Sequence, residues 1–211
     1  MHIRKSALNV MIISAVVSLA ALALALSGVA PRFDFGAGST VSFTSLWIAM
    51  LAAVVISFLF GWARYDAGTG FTLCIAMLHD QLLSLALASL ISVVFGLSSV
   101  MPALAIAGAV FTYLFTIPVL REARAVARST SLREMSREEV AGLAVKNTRT
   151  PARLTGAVVL LGFVAFIVSG NLSMIGAILP LITGLIAAIL SSCLITPYIW
   201  AAISARRAGK R

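Results

Sequence analysis

Six apolar runs, most of them near the length of a membrane span, limit what this chain can fold into. They cover residues 8–29, 45–62, 71–95, 100–120, 154–169 and 172–203. A helix needs about 20 apolar residues to cross a bilayer core, because each residue advances it by about 1.5 Å. The chain is 61% hydrophobic and 11% charged, so it has more apolar surface than a water-soluble domain can bury. We therefore expect an all-α integral membrane protein, with one domain of six transmembrane helices over residues 1–211.

Two of these runs are ambiguous, the first in its role and the fifth in its starting residue. The first follows the basic stretch "MHIRKS" and could be taken for a signal peptide. Residues 8–29 are longer than the apolar core of about 7–15 residues in such a peptide, so we interpret the run as an uncleaved membrane anchor. The fifth run, 154–169, is short for a span, and the start of its helix stays open.

The basic residues predict the orientation of the chain in the membrane. With six spans, fifteen of the sixteen Lys and Arg residues fall on one side, and Arg32 alone falls on the other. Membrane proteins keep Lys and Arg on the cytoplasmic side, so we expect both termini and the 121–153 linker there, in reach of anionic lipids. The net charge of +9 comes with no nucleic-acid-binding motif, and we expect no nucleic-acid partner.

The linker, residues 121–153, is the one sizeable polar region. The stretches Ser131–Glu134 and Ser136–Glu139 both fit the capping-box pattern that starts a helix. Val140, Leu143 and Ala144 follow on one helix face. We expect a short helix lying against the inner surface of the bundle or the lipid headgroups. A partner contact and a solvated connector remain equal alternatives for this helix.

Small residues recur at every fourth position in three of the runs. Such stripes let helix backbones approach closely in lipid. The third run carries Ala76, Asp80, Ser84, Ala88 and Ser92, and this places the Asp80 carboxylate at a contact between helices. The predicted packing face on the fourth and sixth runs includes Gly108, Thr112, Gly176, Gly184, Ala188 and Ser192.

Asp80 is the only formally charged residue well inside a run. A charge in the membrane needs a partner or a function. Asp80 could carry protons, or it could join helices through hydrogen bonds to Ser, Thr or backbone groups; we rank the structural role first. His79 is the next residue and projects in another direction, so we predict no His–Asp pair.

An enzymatic role for Asp80 has no supporting motif. His2 and His79 are the only histidines, and the chain has no Gly-x-Ser-x-Gly, His-Glu-x-x-His or phosphate-binding loop. We therefore predict no catalytic residues, no metal site and no cofactor.

Five stretches together resemble one family. The stretch "FGWARYDAGTGFTLCIAMLHDQLLSL" resembles the third membrane helix of SecF, in which an Arg-bearing turn leads into a Leu-His-Asp helix. The others are "DFGAGST" after the first run, "VLREARA" at the exit of the fourth, "TSLRE" in the linker and "LSSCLITPYIW" in the sixth. Their order and spacing resemble the family from about Asp34 to the C-terminus.

The resemblance implies a six-helix half of the resistance–nodulation–division type in the bacterial inner membrane. It implies a SecD-like partner and the SecYEG translocon, with proton entry coupled to protein export. Arg153 resembles the basic residue that opens the family's fifth helix. Two features depart from the family: only Pro31–Thr44 replace its periplasmic domain, and Phe111 and Thr112 stand where its fourth helix has Asn-Asp-Thr.

We therefore expect a SecF-like accessory subunit of the Sec translocase. The missing carboxylate predicts that any coupling resides mainly in the SecD-like partner, while Asp80, His79 and Arg153 form the possible proton site on this chain. Two alternatives remain open: a half-size resistance–nodulation–division exporter of small molecules or lipids, and a membrane scaffold that transports nothing.

Overall fold

The computed structural model describes residues 33–34, 43–95, 99–129, 135–169 and 175–208, with single helical positions at Ile12, Val16, Leu19 and Ala23. Most of the first predicted span therefore lies outside the described residues. The continuous described ranges contain six helices: α1 (Phe43–Arg64), α2 (Ala67–Phe95), α3 (Met101–Arg128), α4 (Arg137–Val168), α5 (Ile175–Leu194) and α6 (Thr196–Ala208). Two-residue strands β1 (Phe33–Asp34) and β2 (Ser99–Val100) pair in parallel.

Within the part of the chain that the structure describes, four segments are long and apolar enough to cross a membrane: Trp47–Arg64, Ala67–Ile91, Arg137–Val168 and Ile178–Ala205. The described bundle buries polar as well as apolar side chains, and its exposed surface carries many large apolar ones. Thr69, Thr72 and Ser84 are fully buried, whereas Leu161 and Val168 expose 66% and 78% of their surface. Apolar side chains face outward at low cost only in lipid, so the fold is that of a multi-pass membrane protein.

The α1–α2 hairpin is joined by a turn with a built-in helix cap. Asp66 precedes α2, and its carboxylate accepts hydrogen bonds from the Thr69 backbone N–H at 2.9 Å and the Thr69 hydroxyl at 3.1 Å. This satisfies a donor that the first turn of a helix leaves open. Beside the turn, Gly61 and Gly70 let the two backbones approach; a Cβ on Gly61 would lie 2.7 Å from the Gly70 Cα.

The fifth predicted span begins earlier than its apolar run. The capping box predicted at Ser136 is confirmed: the Glu139 N–H donates to Ser136 Oγ at 3.2 Å, and the Ser136 N–H donates to Glu139 Oε2 at 2.8 Å. The prediction of a separate short helix was wrong, because the helix continues unbroken through Pro151 to Val168. The other predicted box, at Ser131–Glu134, lies outside the described residues.

Tertiary packing accounts for this continuity. The first turns of α4 bury their apolar face in a cluster with the ends of α2, α3 and α6. Its buried members are Leu73, Leu120, Ala123, Val126, Val140, Ala141, Ala144, Trp200 and Ala201. A helix already held by packing tolerates an internal proline when neighbouring groups take up the freed backbone positions.

The sixth predicted run, 172–203, divides into two helices at Ile195. Pro197 has no N–H to donate, so the regular ladder of backbone hydrogen bonds is interrupted there. The Ser191 and Thr196 hydroxyls lie 3.1 Å apart across the break. The predicted run therefore contains two helices, although Ile178–Ala205 qualifies as one candidate span.

Candidate functional site: a polar seam between α2, α3 and α5

The Asp80 side chain lies at the centre of the described bundle. It is fully buried, and the Thr112 hydroxyl of α3 donates a 2.7 Å hydrogen bond to Asp80 Oδ2. The Ser191 hydroxyl of α5 also lies close enough to interact with the carboxylate. A hydroxyl donor from α3 thus meets the carboxylate acceptor on α2, with Ser191 of α5 close by. This is how a buried carboxylate is compensated inside a membrane protein.

His79 contradicts the prediction that it would point away from Asp80. Its Nδ1 lies 3.1 Å from Asp80 Oδ1, and its side chain is 14% exposed. Adjacent residues leave a helix about 100° apart, which separates the Cβ atoms but not the ends of longer side chains. The imidazole turns back across this angle and reaches the carboxylate, so the two residues form a pair.

A second hydrogen bond lies one turn further along α2. Ser84 Oγ and Thr183 Oγ1 of α5 are 3.1 Å apart, and both residues are fully buried. Thr183 also donates to the Pro180 carbonyl at 3.0 Å. We define the polar seam as the residues joined by these contacts and by the Asp80 contacts; its members are His79, Asp80, Ser84, Thr112, Thr183 and Ser191.

Gln81 is a seam neighbour that the sequence analysis did not single out. It is fully buried, and neither of its amide atoms has a hydrogen-bond partner among the described residues. Its side chain packs on Gly108, where an added Cβ would lie 2.7 Å from Gln81 Cγ. A glutamine beside Asp80 within an apolar run was a signal for this position. The close approach of α3 to α2 depends on Gly108, because glycine has no side chain.

The other predicted residues fall in different surroundings. Gly184, Ala188 and Ser192 are buried within the described bundle, whereas the surroundings of Gly176 lie outside the described residues. Arg153 is exposed on α4, sixteen residues after the helix start at Arg137, so it does not open a helix. The structure thus joins Asp80, His79 and Thr112, and it leaves Arg153 on the outer surface.

Replacing Gly184 tests whether the small-residue stripe of α5 packs as predicted. We expect Gly184→Leu to force neighbouring helices apart and to lower the free energy of unfolding by about 1–3 kcal/mol, the range for overpacking. Ile186→Leu is the volume-matched control, since Ile186 is 43% exposed. Thermal melting in detergent measures the difference, and equal melting temperatures for the two variants would contradict the packing role.

A second polar cluster ties the α1–α2 turn to the end of α3. The Arg124 guanidinium pairs with the Asp66 carboxylate and donates to Thr69 Oγ1 at 3.0 Å. Arg64 and Arg124 both lie over the Tyr65 ring, 5.6 Å and 5.3 Å from its centroid. The helix ends that carry basic residues therefore meet at one end of the bundle. Motif searches did not reveal this cluster, because its parts are far apart in sequence.

The seam can hold helices in register, since Thr112 contacts one oxygen of its carboxylate and His79 contacts the other. Within the described residues, no three His, Cys, Asp or Glu side chains come together as metal ligands would. The contacts observed at the site are hydrogen bonds, which join Asp80 to Thr112 and to His79. Such intramembrane ionisable groups are characteristic of transport proteins.

These features define a multi-pass membrane protein with a buried, hydrogen-bonded polar seam between its helices. A family model described as "Protein export membrane protein SecD/SecF, C-terminal" matches residues 37–206. The chain belongs to this family of protein-export membrane proteins, and the predicted family resemblance is confirmed. No curated protein and no solved structure matched the chain in the corresponding comparisons.

Proposed function

We propose that this chain is a SecF-like accessory subunit of the Sec translocase, which assists protein export across the bacterial inner membrane together with a SecD-like partner and SecYEG. The observation that carries the proposal is the family match over residues 37–206. That match covers both subunit types. The choice of SecF rests on the Leu-His-Asp sequence of α2, in which Leu78, His79 and Asp80 stand in the order that the SecF resemblance requires.

The proposed topology has six spans in one domain, with both termini and the linker cytoplasmic. The meeting of Arg64 and Arg124 around Tyr65 supports it, because it places two basic helix ends on the same side. The start of α4 packs at that end too, against Leu120 and Ala123. A bundle that collects its basic ends on one side satisfies the cytoplasmic preference of Lys and Arg.

In this proposal the main role of the polar seam is structural. Thr112 and His79 engage both oxygens of the Asp80 carboxylate, and this keeps α2 and α3 in register. A proton path needs several groups that bind and release protons in turn, and α3 presents Phe111 and Thr112 where the family has a carboxylate. The chain would then offer a rigid helix surface against which a SecD-like partner moves, while the partner supplies most of the coupling.

Co-purification tests the proposed function. The tagged full-length chain, extracted in mild detergent from its native host, is expected to retain SecD-like and SecYEG proteins, as measured by quantitative mass spectrometry. The control is an unrelated tagged multi-pass protein from the same membrane at equal expression. Recovery of a folded chain with neither partner enriched over that control would refute the assignment. Co-purification with a SecF-like protein in place of a SecD-like one would identify the chain as the other half of the pair.

A further inference from the structure

One face of α4 carries three basic residues within two helical turns. Lys146, Arg149 and Arg153 follow one another at spacings of three and four, which places them on the same side of the helix. All three are exposed. The ion pairs recorded among the described residues are Arg124 with Asp66 and His79 with Asp80, and neither involves this face. The three charges therefore point to an anion outside the chain.

The packing of α4 leaves this basic face uncovered. On the opposite side of the helix, Thr148, Ala152 and Thr155 line a groove against Phe115 and Val119 of α3. On the packed side, the Asn147 amide donates to the Glu122 carboxylate of α3 at 2.8 Å. Neither α3 nor its acidic residue therefore neutralises the basic face.

The same face becomes apolar further along the helix. Leu160 and Val164, seven and eleven residues after Arg153, continue it with exposed fractions of 45% and 48%. At about 1.5 Å per residue, Arg153 and Val164 are about 16 Å apart, close to half of a bilayer core of about 30 Å. A cationic patch followed by half a bilayer core of apolar surface has the dimensions of one phospholipid.

The depth of the patch fits the same ligand. Arg153 lies fifteen residues before the end of α4 at Val168, or about 22 Å along the helix. Its long side chain can extend from there towards the headgroup region, while Arg149 and Lys146 lie one and two turns further out. Arginine binds phosphate oxygens in a two-pronged arrangement, which makes a phosphodiester the natural partner for Arg149 and Arg153.

We propose that Lys146, Arg149 and Arg153 form a binding site for one anionic phospholipid of the surrounding leaflet, with its phosphate at the two arginines and an acyl chain along Leu160 and Val164. This assigns Arg153 to lipid binding and not to a proton path. The site belongs to the isolated chain and goes beyond the proposed export function, so it can be tested without any partner.

The test compares two double variants of the purified full chain in neutral detergent, titrated with phosphatidylglycerol and followed by native mass spectrometry. In Arg149→Gln/Arg153→Gln the apparent affinity is expected to fall about 30-fold, since each basic residue near an anionic surface contributes about fivefold. In Arg121→Gln/Arg128→Gln, which removes two exposed arginines seven residues apart on α3, the change is expected to stay below about twofold. Melting temperatures without lipid show whether both variants are folded.

Further binding measurements distinguish a specific lipid site from a general attraction to anions. Glycerol phosphate, which lacks acyl chains, is expected not to compete, and Leu160→Ser is expected to weaken binding of phosphatidylglycerol. Phosphatidylcholine is the neutral reference lipid. Equal losses in the two double variants would overturn the proposal and indicate general attraction. Full competition by glycerol phosphate would overturn the proposal and indicate that the site binds a soluble anion. Binding of an acidic peptide in preference to lipid would also overturn it and indicate a protein partner.

Discussion

Gly70→Ala is expected to destabilise the bundle by about 1–3 kcal/mol, although it adds a single methyl group. An added Cβ would lie 2.8 Å from the Phe58 carbonyl oxygen and 3.0 Å from the Trp62 nitrogen. Both atoms belong to the backbone of α1, so no side-chain rotation can relieve the contact. The α1–α2 hairpin would have to open, and the opening would pull Asp66 away from Arg124 at the adjoining turn.

Gly162→Ala is the matched control for this effect. Gly162 lies within α4, and an added Cβ there would meet nothing within 4 Å. Alanine loses less backbone entropy than glycine on forming a helix, so this variant is expected to gain about 0.5–1 kcal/mol. Thermal unfolding of both variants in the same detergent measures the contrast. A Gly70→Ala protein that melts with or above Gly162→Ala would show that the close helix contact does not matter for stability.

Asp80→Leu is expected to lower the free energy of unfolding by about 2 kcal/mol, because it leaves the buried Thr112 hydroxyl without its acceptor. The Thr112 donor lies 2.7 Å from the carboxylate that the variant removes. Asp80→Asn keeps an oxygen for Thr112 and is expected to lose about 1 kcal/mol or less. A double-mutant cycle with Thr112→Val isolates the contact and should return a coupling of about 1 kcal/mol. An unchanged or raised stability for Asp80→Leu would mean that the carboxylate serves something other than the fold.

The same variants separate a structural Asp80 from a proton carrier. The purified chain in liposomes under a pH gradient, with a pH dye inside, is expected to show no proton flux above protein-free liposomes. The Asp80→Asn variant should likewise show no proton flux above protein-free liposomes. Asp80 and His79 are adjacent on one helix, and two neighbouring groups make a poor conductor, because a proton path needs groups spaced across the membrane. Proton flux that disappears in Asp80→Asn would refute the structural role and make Asp80 the carrier.

Much of the site could be predicted, because the type of a residue in a membrane helix indicates whether its side chain faces lipid or another helix. Asp80 stands in a stripe of small residues, and a charge in such a stripe has to face another helix. The place of Thr112 on the facing helix followed from its own stripe with Gly108. His79 was predicted wrongly, because helix geometry gives the direction of a Cβ and not the rotamer that a long side chain adopts. Gln81 was missed because a single amide in an apolar run carries no motif.

The sequence by itself determined the apolar runs, the excess of basic residues at their ends, the helix cap at Ser136 and the family to which the chain belongs. These depend on local patterns, which a chain carries before it folds. Only the tertiary structure decided that α4 runs unbroken through Pro151, that the last run divides at Ile195, and that Arg124 meets Asp66 across fifty-eight residues of chain. Each of these three features depends on which helices pack together. Each also depends on which groups bind the charged side chains and the backbone positions that lack a helical hydrogen bond.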